Sequence, residues 1–242
     1  MRAGYLNIMF FDLQVLLDEQ QALINGLQVT ILVACTASVF AAVIAALLLM
    51  LKHQHPEYSA AINSYTQTFR NIPLLIVLYF LYKGLPSFGV ILPPILCGII
   101  GLSLYSSAYF IEAFKAAYHS IPHTQWESGT ALGLSPLQTF KQIILPQWLP
   151  VVLPATGNIV VNTVKNTALL TFITVSDLFM VIYKGSVTFF HFTEFFTAGI
   201  VLYLLLNTVV TLIFKQLEAY AKLPEQRQKR VSQELAYARQ RV

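Results

Sequence analysis

Few side chains in this sequence are placed to do chemistry, and the one that stands out is a lysine in apolar surroundings. Lys165 follows Asn158 and Asn162 at helical spacing and is followed directly by Asn166 and Thr167. Three polar side chains at that spacing share one helix face, with Thr167 beyond them. An ionisable group placed in hydrocarbon is costly and by default marks a pathway or a binding site, here one suited to an anionic group. The other reading is a lysine that snorkels to the outer surface. Arg70 and Glu112 also border apolar stretches, and a structural ion pair or separate snorkelling explains them more simply than contact with a ligand. No span carries His-Glu-x-x-His, Gly-x-Ser-x-Gly or paired carboxylates, so the chain is not read as an enzyme. It also lacks a Gly-x-x-x-x-Gly-Lys-Ser/Thr phosphate loop, so any ATP hydrolysis has to be supplied by another protein. His119, His123 and His191 lack metal-ligand spacing and read as solvated, and Cys35 and Cys97, both in apolar runs, read as inert core thiols.

The elements that must position these residues are membrane helices. The 242 residues are 56% hydrophobic and 11% charged, against roughly 25% charged in soluble domains. A helix needs about 20 apolar residues to cross about 30 Å of hydrocarbon, and helices satisfy their own backbone groups. The reading is an all-α polytopic bundle of about five spans. The first covers Ile24 to Leu51 and is closed by Lys52-His53-Gln54-His55-Pro56. The second lies between Ser59 and Tyr82, and its polar first half must face protein or water. The third covers Ile95 to Phe114. The fourth, Ile143 to Val164, is interrupted by Pro146, Pro150, Pro154 and Gly157, as broken helices are where they line a cavity. Leu169 to Val187 reads as a re-entrant or surface piece, and Phe195 to Phe214 make the fifth span. Tyr79, Tyr82, Phe189 and Phe190 read as interfacial aromatics.

Residues 1–23 show no cleavable signal peptide and read as an interfacial segment before the first span. With the N-terminus outside and the C-terminus inside, Lys and Arg fall mainly in inner loops, as the positive-inside rule requires. The net charge of +4 is therefore read as membrane orientation rather than nucleic-acid binding. Residues 219–242 form a basic cytoplasmic tail. Residues 115–146 form a long cytoplasmic loop with its own punctuation. Thr124-Gln125-Trp126-Glu127 fits a capping box, Gly133 ends that helix, and Ser135-Pro136-Leu137-Gln138 offers a second capping box with proline at the first helical position.

Within that loop Glu127, Gly133, Ile143, Leu145 and Pro146 fall at the spacings of a Glu-Ala-Ala, three residues, Gly, nine residues, Ile, one residue, Leu-Pro signature. The segment resembles the inner-membrane permeases of ABC importers, with Ser128 and Gly129 in place of the two alanines. Arg70-Asn71-Ile72-Pro73-Leu74-Leu75, Tyr109 to Lys115 and Lys165-Asn166-Thr167-Ala168-Leu169 resemble runs of the polar amino acid branch of that family. The resemblance extends from Asn25 to Glu218 and makes residues 24–218 the permease domain. It implies that Glu127, Ser128, Gly129, Leu132, Gly133, Ile143, Leu145 and Pro146 couple the chain to separate ABC ATPase subunits. No cofactor is expected on this chain; ATP and Mg would bind the ATPase. The resemblance further implies an extracytoplasmic solute-binding protein and a second permease subunit, identical or similar. A bacterial inner membrane is the implied location. Lys165 would then oppose the carboxylate of a neutral or acidic amino acid, with Asn158, Asn162, Asn166, Thr167 and Arg70 along the pathway. An ion-gradient-driven secondary transporter or a channel subunit is the rival reading. It calls for inverted halves and acidic groups, whereas Glu112 is the only acid expected within a span.

Overall fold

A computed structural model describes residues 11–222. The described residues are mostly helical, joined by short turns, with no strand among them. Short α1 (Leu13–Asp18) is capped by Asp12, whose side chain accepts from the backbone N–H of Gln14. Glu19 turns the chain into α2 (Gln20–Gln54), which ends before His55 and Pro56. The helix therefore starts four residues before and ends three residues after the expected Ile24 and Leu51.

The second span is not one straight helix. α3 (Ser59–Asn71) and α4 (Leu74–Tyr79) meet at Ile72-Pro73, and the two arms, Pro56–Asn71 and Leu74–Phe88, are bent by 102°. Pro73 has no N–H to continue the ladder, and the residue before a proline is driven out of the helical region. Ile72 accordingly sits at φ −89°, ψ 134°. The second arm continues through a π turn at Phe80–Gly84 and a 3₁₀ turn at Leu85–Phe88, and Gly89 ends it with φ +81°. α5 (Pro94–His119) is the third span.

The fourth span differs from expectation in the opposite sense, because its prolines do not break it. α6 (Thr124–Ala131) and α7 (Pro136–Thr139) form the loop hairpin. From α7 the chain runs through a π turn at Phe140–Ile144 into α8 (Leu145–Asn166), which carries Pro150 and Pro154 inside it, and on into a 3₁₀ segment at Thr167–Ile173. The stretch Pro136–Ile173 has the length and composition of a span. A π turn widens the helix by one residue, which makes room for the ring of the proline that follows it. α9 (Leu178–Phe189) is a shorter apolar helix within the stretch read as a re-entrant or surface piece, and α10 (Phe192–Ala221) is the last span. Among the described residues four helices are long and apolar enough to cross a membrane, and the bent pair makes up to five.

The described chain divides into two compact units, one running through Glu112 and including Ile159–Val209, the other comprising Ala113–Asn158 and the part from Val210 onward. In the first unit Val33, Ala37, Leu78, Cys97, Leu102, Leu170 and Ile173 form an apolar core. Leu23, Leu178, Ile182 and Phe195 form a second cluster, which seats α9 against α2. Gly26 permits that approach: a Cβ there would stand 3.0 Å from the Leu178 Cα. Cys97 is buried as expected, but Cys35 is exposed on α2 and is no core thiol.

Candidate functional site

The loop hairpin, all in the second unit, is built from local rules. α6 closes in a Schellman turn: Leu134 N–H donates to Gly129 O and Gly133 N–H to Thr130 O, both at 3.0 Å. Gly133 supplies the left-handed residue at φ +71°. The second capping box forms as expected, with Gln138 Oε1 accepting from Ser135 N–H at 2.8 Å and Ser135 Oγ from Gln138 N–H at 3.4 Å. The first does not. His123, not Thr124, occupies the cap position, already in helical conformation and without a side-chain cap. Glu127 instead meets His123 Nδ1 at 3.1 Å across one exposed turn. An N-cap needs an extended backbone, and Thr124 is already inside the helix.

Gly129 is the one buried residue of α6 and lies against the Thr139 side chain. Ile144 is fully buried behind it, and Ile143, Leu145 and Pro146 are half-buried. Gln147 Nε2 ties the hairpin to the following helix by donating to Gln125 Oε1 at 3.0 Å and Ile143 O at 2.8 Å. Trp148 Nε1 donates to Phe114 O at 3.3 Å. The eight sequence-selected positions thus sort into two sets. Gly129, Ile143, Leu145 and Pro146 pack the hairpin, and Gly133 makes its turn. Glu127, Ser128 and Leu132 point outward, Leu132 with 73% of its surface exposed.

The polar positions of the membrane helices divide similarly. Asn158, Asn162 and Lys165 are exposed on α8, and Asn166 is half-buried. Thr167 does not share their face; it is fully buried and its Oγ1 donates to Val164 O at 2.8 Å. In the first unit Ser106 Oγ and Thr163 Oγ1 meet at 3.0 Å, and Tyr65 OH meets Ser107 Oγ at 2.6 Å. Arg70 Nη1 lies 3.7 Å from Glu112 Oε2, so the ion pair weighed from sequence is present.

Two further acids were missed as span or core groups. Asp177 is fully buried as the cap of α9, accepting from Thr171 Oγ1 at 3.0 Å, Met180 N–H at 3.0 Å and Phe179 N–H at 3.3 Å. Glu194 is buried in the first turn of α10, accepting from Asp12 N–H at 3.1 Å, with His191 Nδ1 at 3.3 Å. The sequence signal for Asp177 was an acid directly before an apolar helical run, which is an N-cap signature. Among the described residues no group of three or more His, Cys, Asp or Glu could hold a metal ion.

Among the described residues, several helices of membrane-spanning length and a helical hairpin in one connection define a multi-pass membrane protein. More particularly, residues 37–221 match the family model described as "Binding-protein-dependent transport system inner membrane component", and the chain belongs to that family. It is 31% identical over 172 residues to the probable amino-acid ABC transporter permease protein YckA of Bacillus subtilis (strain 168), covering 69% of this chain and 75% of that one. It is 30% identical over 219 residues to the probable amino-acid ABC transporter permease protein PatM of Vibrio harveyi, covering 89% and 97%. Its fold is similar to a chain in the crystal structure of an amino acid ABC transporter with histidines, with TM-score 0.80, 23% identity and coverage of 88% and 100%. The family places the chain in the inner membrane and sets aside the ion-gradient-driven reading.

Proposed function

We propose that this chain is the permease subunit of an ATP-driven importer for a polar amino acid, neutral or acidic. It receives solute from an extracytoplasmic binding protein and is driven by separate ABC ATPase subunits that bind ATP and Mg. The observation that carries the reading is the hairpin 124–146, with Glu127, Ser128 and Leu132 outward over a packed base, in a chain of the binding-protein-dependent family. A stiff element with differential contacts in two states can transmit ATPase closure to the spans. The amino-acid class is supported by the names of YckA and PatM. Lys165 supports a carboxylate-bearing solute, and the neutral Asn166 beside it would not repel a second carboxylate. Exposed Asn158, Asn162 and Lys165 would be costly against lipid, which supports a second permease subunit covering that face. The orientation is N-out and C-in, with the hairpin in the cytoplasm; most of the basic tail that supports it lies outside the described residues.

The test replaces Glu127 by Lys in the complex expressed with its ATPase. Loss of ATPase co-purification with membrane insertion intact is expected. A wild-type amount of ATPase bound to the variant counts against the coupling role.

A further inference from the structure

Along α5 the residues Tyr105, Tyr109 and Glu112 recur at i, i+4 and i+7 and so share one face. Their side chains are joined. The Tyr105 and Tyr109 hydroxyls meet at 3.1 Å with ring centroids 5.2 Å apart. The Arg70 guanidinium stands 5.7 Å from the Tyr109 ring centre and 3.7 Å from the Glu112 carboxylate. None of this is core. Tyr105 and Tyr109 are partly open, and 43% of the Arg70 side chain and 42% of the Glu112 side chain remain exposed.

At 3.7 Å the pair attracts but is too long for a hydrogen bond, and an ion pair this exposed adds little to stability. Charges kept at that small return within a span are functional by default. With a rise of 1.5 Å per residue, Tyr105 lies about 16 Å along α5 from Pro94, near the middle of the ~30 Å hydrocarbon layer, and Glu112 about 10 Å further on. The row therefore runs from mid-membrane toward the end of the helix that carries the hairpin loop. Gly98 lies against Leu170, and Ser106 against Thr163, so α5 and the 163–170 chain run antiparallel. In that arrangement positions 105 and 109 fall on the same side of the seam as positions 162 and 166.

We propose that Arg70, Glu112 and the Tyr105–Tyr109 pair form a station for the zwitterionic head of an α-amino acid on its way through the permease. This inference rests on the amino-acid reading above and names the residues that would recognise that class. An α-amino acid carries its two charges one carbon apart. The guanidinium fork takes the carboxylate, while Glu112 and the hydroxyl oxygens of Tyr105 and Tyr109 accept from the ammonium group. Insertion replaces one Arg–Glu contact by two contacts of the same kind, and no charge is left unpaired at any stage. A simple amine or a simple carboxylic acid would disrupt the Arg70–Glu112 contact while replacing only one side of it, which disfavours both. The solute's side chain is not read here, so Lys165 and its neighbours remain free to set that part of the specificity.

The experiment uses the whole complex, permease with its ATPase and binding protein, in proteoliposomes, with the twenty radiolabelled L-amino acids as probes. For whichever is taken up, Arg70→Gln and Glu112→Gln are each expected to lower uptake at saturating binding protein by about tenfold or more, the scale of a hydrogen bond to a charged group. The exchanged pair, Arg70→Glu with Glu112→Arg, is expected to stay equally low, because it presents each charge to the wrong end of the solute. Recovery of the exchanged pair to within about twofold of wild type would show a merely structural contact and overturn the proposal. ATPase co-purification reads assembly. Should the charge variants fail to assemble, Tyr105→Phe with Tyr109→Phe, which keeps both rings and both charges, decides the matter. A drop of about threefold or more is expected there, and unchanged uptake overturns the proposal. Wild-type complex that takes up none of the twenty overturns the amino-acid reading itself, a failure distinct from wild-type uptake that the variants leave untouched.

Discussion

Gly129 stands where the permease signature has alanine, and the structure gives a quantitative reason. A Cβ at Gly129 would run into the Cγ2 and Oγ1 of Thr139 and come within 2.9 Å of its Cβ, with the hairpin locked on one side by the Gly133 turn and on the other by the Ser135 capping box. Gly129→Ala therefore has two opposed effects. The helix gains about 1 kcal/mol from replacing glycine by alanine, and the contact loses about 1–3 kcal/mol to overpacking. The net expectation is a hairpin destabilised by up to about 2 kcal/mol, since the clash is with three atoms of a buried side chain. With Thr139→Gly the obstacle is gone and the same Gly129→Ala change should stabilise by about 1 kcal/mol. The double-mutant coupling is then about 1–3 kcal/mol. Hydrogen exchange of the α6 amides in detergent reads the local opening free energy directly, about tenfold in protection per 1.4 kcal/mol. If Gly129→Ala has the same sign and size in both backgrounds, within about 0.5 kcal/mol, the packing account of this glycine is wrong.

Three further outcomes are expected. Asp177→Ala strips the acceptor from two backbone N–H groups and a threonine hydroxyl in a fully buried position. It should cost about 2–4 kcal/mol, seen as a lower thermal midpoint by size-exclusion in detergent. Asp177→Asn keeps an oxygen and should cost well under half as much, so equal midpoints for the two would refute the capping role. Gly185→Ala pushes a Cβ into the Phe195 ring and should destabilise by about 1–3 kcal/mol; Phe195→Leu should recover part of the loss, and additive midpoints would argue against the contact. Lys165→Met should reduce uptake and solute-stimulated ATPase activity in the reconstituted complex, and unchanged values for both would leave this lysine a snorkelling one.

Much of the architecture was legible because long apolar runs admit only helices in a bilayer, and the Ser135 box was legible because its residues are neighbours in sequence. What failed was local chemistry decided by geometry further away. Thr124 has the residue type of a cap, yet Pro122 and His123 turn the chain one residue earlier, and Glu127 takes His123 as its partner. The break at Pro73 was present in the sequence as a proline between a polar and an apolar half, but its 102° bend depends on how Leu74 and Leu78 are buried in the core. Tyr109 stood out only as the first residue of a resembling run and Tyr105 only as an ordinary residue of an apolar span, because only a third dimension brings Arg70 over the Tyr109 ring.

The prolines of α8 show most plainly why composition misled. Pro146, Pro150 and Pro154 recur every four residues, and Asn158, Asn162 and Asn166 continue the same interval. Each proline removes one N–H, so the carbonyls freed are those of Gln142, Pro146 and Pro150, spaced by the same four residues. Losses confined to one slowly winding stripe leave the bonds on the rest of the helix in place, and the π turn at Phe140–Ile144 makes room for the first ring. Three prolines read singly predict three breaks. Read as a period they predict a continuous helix with a polar seam of carbonyls that merges into a row of amides, a surface too polar to face lipid along its length.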